Sequence, residues 1–211
     1  MHFLMKTVVI HTPKGGAAKS LVSRELAVAA AMAGVQTALA DLDPQGTTTG
    51  WYRRRKADTP ALVTMGMDGR TDHISGAGVE LLVIDTPPGT MLSWLSPILA
   101  RSDVVLVPVR PTPDDLLAAA PIARSLASHP CWAWVLTQVP PRTRLLSSAV
   151  RQLAGLGRVA PPHLTFRADF PAAAIDGLAA IEFTGKAADE SAALYAYVAT
   201  LLGVPDATPK I

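Results

Sequence analysis

The stretch HTPKGGAAKS, residues 11–20, ends a strand-like run from Thr7 to His11 and opens directly into an Ala-rich, helix-like segment from Ser20 to Ala33. Strand, Gly-rich turn, Lys-Ser and helix is the order that builds a phosphate cradle. Glycines let backbone N–H groups converge on phosphate oxygens, and the helix N-terminus adds partial positive charge. Lys19 is then placed to reach the outer phosphates and the Ser20 hydroxyl to ligate Mg²⁺. The strict pattern GxxxxGK[ST] is not met, because its two glycine positions fall on Pro13 and Ala18. A plain Gly-Gly turn ahead of a helix is the simpler alternative at this point.

Working outward, apolar runs recur at Val35 to Asp41, Val79 to Asp85, Asp103 to Val109 and Trp132 to Thr137. Helix-like segments separate them: Thr47 to Lys56, Met91 to Ala100, Pro113 to Ser128, Leu145 to Leu156 and Lys186 to Leu202. Runs such as ELLVID and DVVLVPV are apolar at nearly every position, as in strands covered on both faces. The expectation is a mostly parallel central sheet with helices on both faces. The proline clusters at 108–113, 140–141 and 161–162 fall between elements, no repeat is present, and residues 1–211 read as a single domain. Asp41 and Asp43 close the second run and Asp85 closes the third. Carboxylates at strand ends beside a phosphate loop can hold Mg²⁺ through water and orient an attacking water. Helix N-capping is the other common use of such residues.

Three motifs in this order resemble those of the ParA/MinD family. KGGxxK[ST], with Lys14 five positions before Lys19, resembles that family's deviant Walker A loop. Asp41-Leu42-Asp43-Pro44-Gln45-Gly46 is similar to its switch I, and LLVIDTPPG, residues 81–89, to its Walker B strand and following loop. Thr137 and Gln138 lie where the family borders the adenine. The resemblance implies a single-domain α/β P-loop NTPase of the short ParA type, without an N-terminal winged-helix domain. It further implies an ATP·Mg²⁺ site formed by Lys14, Gly15, Gly16, Ala17, Ala18, Lys19, Ser20 and Leu21 with Thr137 and Gln138. Ser20, Asp41 and Asp85 are its metal residues, Pro87, Pro88 and Gly89 its γ-phosphate sensor, and Lys14, Lys19 and Asp43 its catalytic groups. Two subunits are expected to close face to face on ATP, each Lys14 crossing to its partner's phosphates. Slow hydrolysis, stimulated by a ParB-type centromere-binding adaptor, then reopens the homodimer. The function implied is DNA segregation of a plasmid or chromosome. The alternative is a positioning or scaffold protein of the same family that does not bind DNA.

Composition fits this reading and closes others. With 49% hydrophobic and 17% charged residues the chain is neither disordered nor fibrous. The longest apolar stretch, Leu26 to Ala40, is broken by Gly34, Gln36 and Thr37, short of the ~18 apolar residues of a membrane span. Neither a signal peptide nor a Lys-rich amphipathic tail is legible, so a cytoplasmic protein, nucleoid-associated when ATP-bound and free of membrane, is expected. Cys131 is the only cysteine, which disfavours zinc and iron–sulfur chemistry. Net charge is only +2, yet residues 140–170 hold Arg142, Arg144, Arg151, Arg158 and Arg167 against Asp169 alone. These five arginines are the candidates for sequence-independent contact with the double-stranded DNA backbone; a solvated face is the bland alternative. Ala18 is the departure from the family, which has glycine there. A helical backbone at Ala18 makes the methyl harmless, whereas a glycine-only conformation strains the loop.

Overall fold

In a computed structural model of the chain, residues 4–66, 70, 74, 78–89 and 94–204 are described. Six strands form one sheet: β1 (Lys6–Ile10), β2 (Thr37–Asp41), β3 (Ala61–Val63), β4 (Leu81–Asp85), β5 (Val104–Val109) and β6 (Trp132–Leu136). Their order is β3-β2-β4-β1-β5-β6 and every pairing is parallel. The helices are α1 (Lys19–Met32), α2 (Thr47–Tyr52), α3 (Leu95–Arg101), α4 (Pro113–Leu117), α5 (Ala119–Ser125), α6 (Leu145–Ala154), α7 (Asp169–Ile175) and α8 (Lys186–Leu202), with a 3₁₀ turn at Ala180–Glu182.

Because successive strand residues point to opposite faces, the continuous apolar runs split into two cores. Val8, Ile10, Leu39, Leu81, Val83, Leu106 and Val135 pack under α1, α8 and the 3₁₀ turn. Val9, Ala40, Leu82, Ile84, Val105, Val107 and Leu136 pack under α3, α5 and α6. The chain passes from β1 over β4 to β2, while β5 and β6 lie on the other side of β1. A reversal of this kind leaves a crevice at the carboxyl end of β1, where α/β sheets take their ligands.

Several boundaries differ from the sequence expectation. Pro113 to Ser128 is two short helices, because Pro121 lacks the N–H that would bond Leu117 and its ring crowds that carbonyl. The Thr47 helix ends at Tyr52 rather than Lys56: Arg54 bonds the Ala174 carbonyl at 3.1 Å and Arg55 the Gly177 carbonyl at 3.1 Å. Of the expected Met91 to Ala100 helix, residues 91–93 lie outside the described residues, as does His73. Strand β3, helix α7 and the 3₁₀ turn carried no clear signal in the sequence.

Candidate functional site

At the end of β1 the chain leaves the sheet through Pro13, whose carbonyl accepts from the Gly89 N–H at 2.8 Å, pinning the loop after β4 to the loop after β1. Gly16 and Ala18 then adopt left-handed backbone, at φ 74° and φ 65°. Left-handed residues in alternation curl successive amides into an anion-binding nest. The nest is held from behind. The Thr137 hydroxyl donates to the Ala17 carbonyl at 3.1 Å, and the Gln138 amide to the Gly16 carbonyl at 3.0 Å. Thr137 is fully buried and supports the loop, whereas Gln138 reaches the cleft edge.

The cleft, about 370 Å³, is lined by Gly15 to Leu21 together with Arg24, Asp43, Thr47, Pro88, Gln138, Phe170 and Pro171. Lys19 is 7% exposed; its Nζ reaches back to the Lys14 carbonyl at 3.5 Å. Burial lowers its pKa, against the pull of Asp85 and Asp43. Lys14 does not line this cleft. Its ammonium sits 3.4 Å from Asp115 on α4.

The three aspartates differ in what they have left to offer. Asp41 accepts the Thr49 N–H at 2.7 Å and the Asp43 N–H at 3.1 Å, so it both caps α2 and fixes the turn. Asp43 accepts the Gln45 N–H at 2.9 Å and faces the cleft. Asp85 is fully buried: one oxygen accepts the Thr48 hydroxyl at 2.6 Å and the other, Oδ1, has no partner. Burial pushes its pKa up to about 6, with Asp41 pushing the same way and the neighbouring Thr48 and Ser20 hydroxyls and Lys19 opposing. A buried carboxylate oxygen without a partner, next to a serine hydroxyl and a lysine, fits a hydrated divalent cation. Among the described residues no three His, Cys, Asp or Glu side chains converge on one point.

Pro88 lines the cleft and Pro87 is buried behind it. Their loop starts at Thr86, whose hydroxyl donates to the Ile10 carbonyl at 2.9 Å and meets His11 Nδ1 at 3.1 Å. Burial, with Lys19 adding to it, lowers the His11 pKa to about 4, so this ring is neutral at pH 7.

The five arginines differ in their immediate surroundings. Arg142 and Arg167 share a second cleft, about 630 Å³, with Lys186 and His163. Arg167 is tied to Glu190 at 2.7 Å, and Glu190 also takes the Thr165 N–H and hydroxyl. Arg144 precedes α6 and Arg151 lies exposed on it. Arg158 lies by the start of β6, its Nη1 3.8 Å from Cys131 Sγ.

Residues not singled out as site residues from sequence complete the arrangement. Arg24, on the α1 face that carries Ser20, stacks over the buried Trp51 ring at 5.8 Å, and Arg55 stacks on the same ring at 5.4 Å. Arg55 also pairs with Glu182, at 2.8 Å and 3.0 Å. Phe170 and Pro171 enter the cleft from α7, and Arg110 and Asp115 flank Lys14. The distance between Arg24 and Trp51 is readable from helix spacing in neither segment; only the long-range fold brings them together.

Comparison with known proteins accords with this geometry. A curated relative, the maintenance of carboxysome distribution protein A of Gloeobacter kilaueensis, is 30% identical over 202 residues, covering 92% of each chain. The Cyanothece McdA(D38A)–ATP complex superposes with TM-score 0.70 at 15% identity, over 95% of this chain and 97% of the other. A chain of the MinC:MinD cell division protein complex of Aquifex aeolicus gives TM-score 0.73 at 14% identity, again over 95% and 97%. Residues 8–180 match the nucleotide-binding domain family of CobQ, CobB, MinD and ParA, and with the phosphate nest, the buried Asp85 and the parallel sheet already in place, the chain belongs to that family as a ParA/MinD-type P-loop ATPase.

Proposed function

We propose that this chain is a nucleotide-switched positioning ATPase: it dimerises on ATP, hydrolyses it slowly and thereby distributes a cargo in the cell. The observation that carries the reading is the division between the two lysines. Lys19 is buried in its own cleft beside Asp85 and Asp43, whereas Lys14 stands outside that cleft, half-exposed at the rim. A cation on the phosphate loop that does not serve its own site is available to a second copy. In this assignment Lys19 and the loop amides hold the β- and γ-phosphates, Ser20, Asp85 and Asp41 hold Mg²⁺ largely through water, and Asp43 orients the attacking water. The metal supplies screening of phosphate charge. Lys14 offsets charge developing on the transferred group. Pro87, Pro88 and Gly89 couple that group to β1 through the Gly89–Pro13 bond.

The sequence relative is named for distributing a carboxysome, which favours a protein body over a plasmid or chromosome as cargo and an adaptor on that body over a ParB-type one. Light scattering after gel filtration tests the switch. A dimer with a slowly hydrolysed ATP analogue and a monomer with ADP are expected, and Lys14→Ala should bind nucleotide yet remain monomeric. A wild type that stays monomeric with the analogue refutes the reading.

Sequence-independent DNA binding is favoured by one observation, the polar cleft holding Arg142, Arg167 and Lys186. Binding to random duplex DNA only with the triphosphate, weakening as salt rises and lost in Arg142→Ala, supports DNA as the track. No binding in any nucleotide state leaves the positioning function on another surface and removes DNA segregation.

A further inference from the structure

We propose that Asp115 is a positioning residue for Lys14, holding it on its own protomer until dimerisation draws it across; the inference rests on the nucleotide-gated dimer above. Asp115 is 2% exposed and collects four donors. Arg110 reaches it through Nε at 2.8 Å and Nη2 at 3.0 Å, the Arg110 N–H lies at 3.2 Å, and the Lys14 ammonium at 3.4 Å. Lys14 is thus the longest of these contacts. Although burial alone raises a carboxyl's pKa, the Arg110 hydrogen bonds and Lys14 hold Asp115 below the ordinary value. The carboxylate is therefore an anion, and it is anchored without Lys14.

This arrangement makes release inexpensive. When Lys14 leaves, the bidentate Arg110 pair still compensates the buried charge, so the cost that follows the breaking of a lone buried pair does not arise. Arg110 is also in register with the loop: a Cβ built on Gly16 would meet its Nη1 at 3.8 Å. The end of β5, the start of α4 and the phosphate nest consequently share one electrostatic junction, and the strength of the Lys14 hold is set by how much of Asp115 the arginine occupies.

Two substitutions should act in opposite directions, which general damage to the fold cannot imitate. In the nucleotide-free protein, Lys14 acetylation by acetic anhydride, followed by peptide mass spectrometry, should be about two- to fivefold faster in Asp115→Asn, the range of a partly exposed ion pair. It should be slower in Arg110→Gln, where Lys14 becomes the principal counter-ion. The protein concentration needed for dimerisation with an ATP analogue should fall in Asp115→Asn and rise in Arg110→Gln. Unchanged Lys14 labelling, or shifts of the same sign in both variants, overturns the inference while leaving an intact dimer reading untouched. Labelling that shifts as expected in the two variants, with a wild type that never dimerises, refutes the dimer reading and, with it, the release step.

Discussion

Ala18→Gly is the substitution whose outcome the structure defines most sharply. Ala18 sits at φ 65°, ψ 32° immediately before α1, and its carbonyl accepts the first helical bond, from the Val22 N–H at 3.0 Å. A left-handed L-residue bearing a Cβ costs roughly 1–2 kcal/mol. Glycine removes that strain but enlarges the unfolded ensemble by about 0.4–1 kcal/mol. The net expectation is a gain of about 0.5–1 kcal/mol, or a rise in Tm of about 1–4 °C for a chain of this size. Urea denaturation without nucleotide measures it. Ala17→Gly is the control: Ala17 is 1% exposed and is not among the positive-φ residues, so losing its methyl should destabilise by about 1 kcal/mol. The loop tolerates the strained alanine because Thr137, Gln138 and Gly89 fix the carbonyls around it. A glycine variant less stable than wild type by 0.5 kcal/mol or more, taken as about the scatter of surface changes, would refute the argument that Ala18 stores strain.

Three further outcomes follow from single contacts. Thr48→Val removes the 2.6 Å bond to buried Asp85, whose Oδ1 is already without a partner; a loss of about 1–3 kcal/mol in chemical denaturation is expected. Gly177→Ala places a Cβ against the Arg54–Arg55 backbone at φ 71°, so the segment must part from the turn after α2 and Tm should drop by several degrees in a thermal melt. Glu190 is held below its ordinary value of 4.5: burial opposes this, but the Arg167 and Thr165 hydrogen bonds outweigh it. A depressed native pKa contributes stability that is present above 4.5 and lost as pH falls through the native value. The stability difference between wild type and Glu190→Gln should therefore be largest near pH 7 and shrink below about pH 4.5. A difference that is flat across this range would mean that Glu190 acts through packing alone.

The elements legible in the sequence are those whose burial repeats locally. Leu81 to Ile84 and Val104 to Val109 are apolar throughout because each serves two cores at once, and α8 spans the expected Lys186 to Leu202, with Gly185 and Gly203 at its two caps. Strand β3 was not legible because it is three residues long, sits at the sheet edge and is partly exposed. Helix α7 was obscured by Pro171 in its first turn, where a proline is compatible with a helix but reads as a break.

The site divides along a similar line. The loop, Ser20 and the strand-end aspartates were readable because their chemistry lies in consecutive residues. What a linear pattern cannot carry is which oxygen of which aspartate remains free. Asp41 and Asp85 stand directly opposite in neighbouring strands, yet Asp41 spends its oxygens on two backbone amides while Asp85 keeps one unpartnered. That asymmetry arises because α2 begins within reach of Asp41 and sends only one hydroxyl, from Thr48, to Asp85. The same holds for the arginines. Arg167 carries formal charge in the basic stretch, but Glu190 lies 2.7 Å away, so its alanine variant would alter folding and binding together. Arg142 is exposed, and its removal is the cleaner measure of whether the second cleft meets a polyanion.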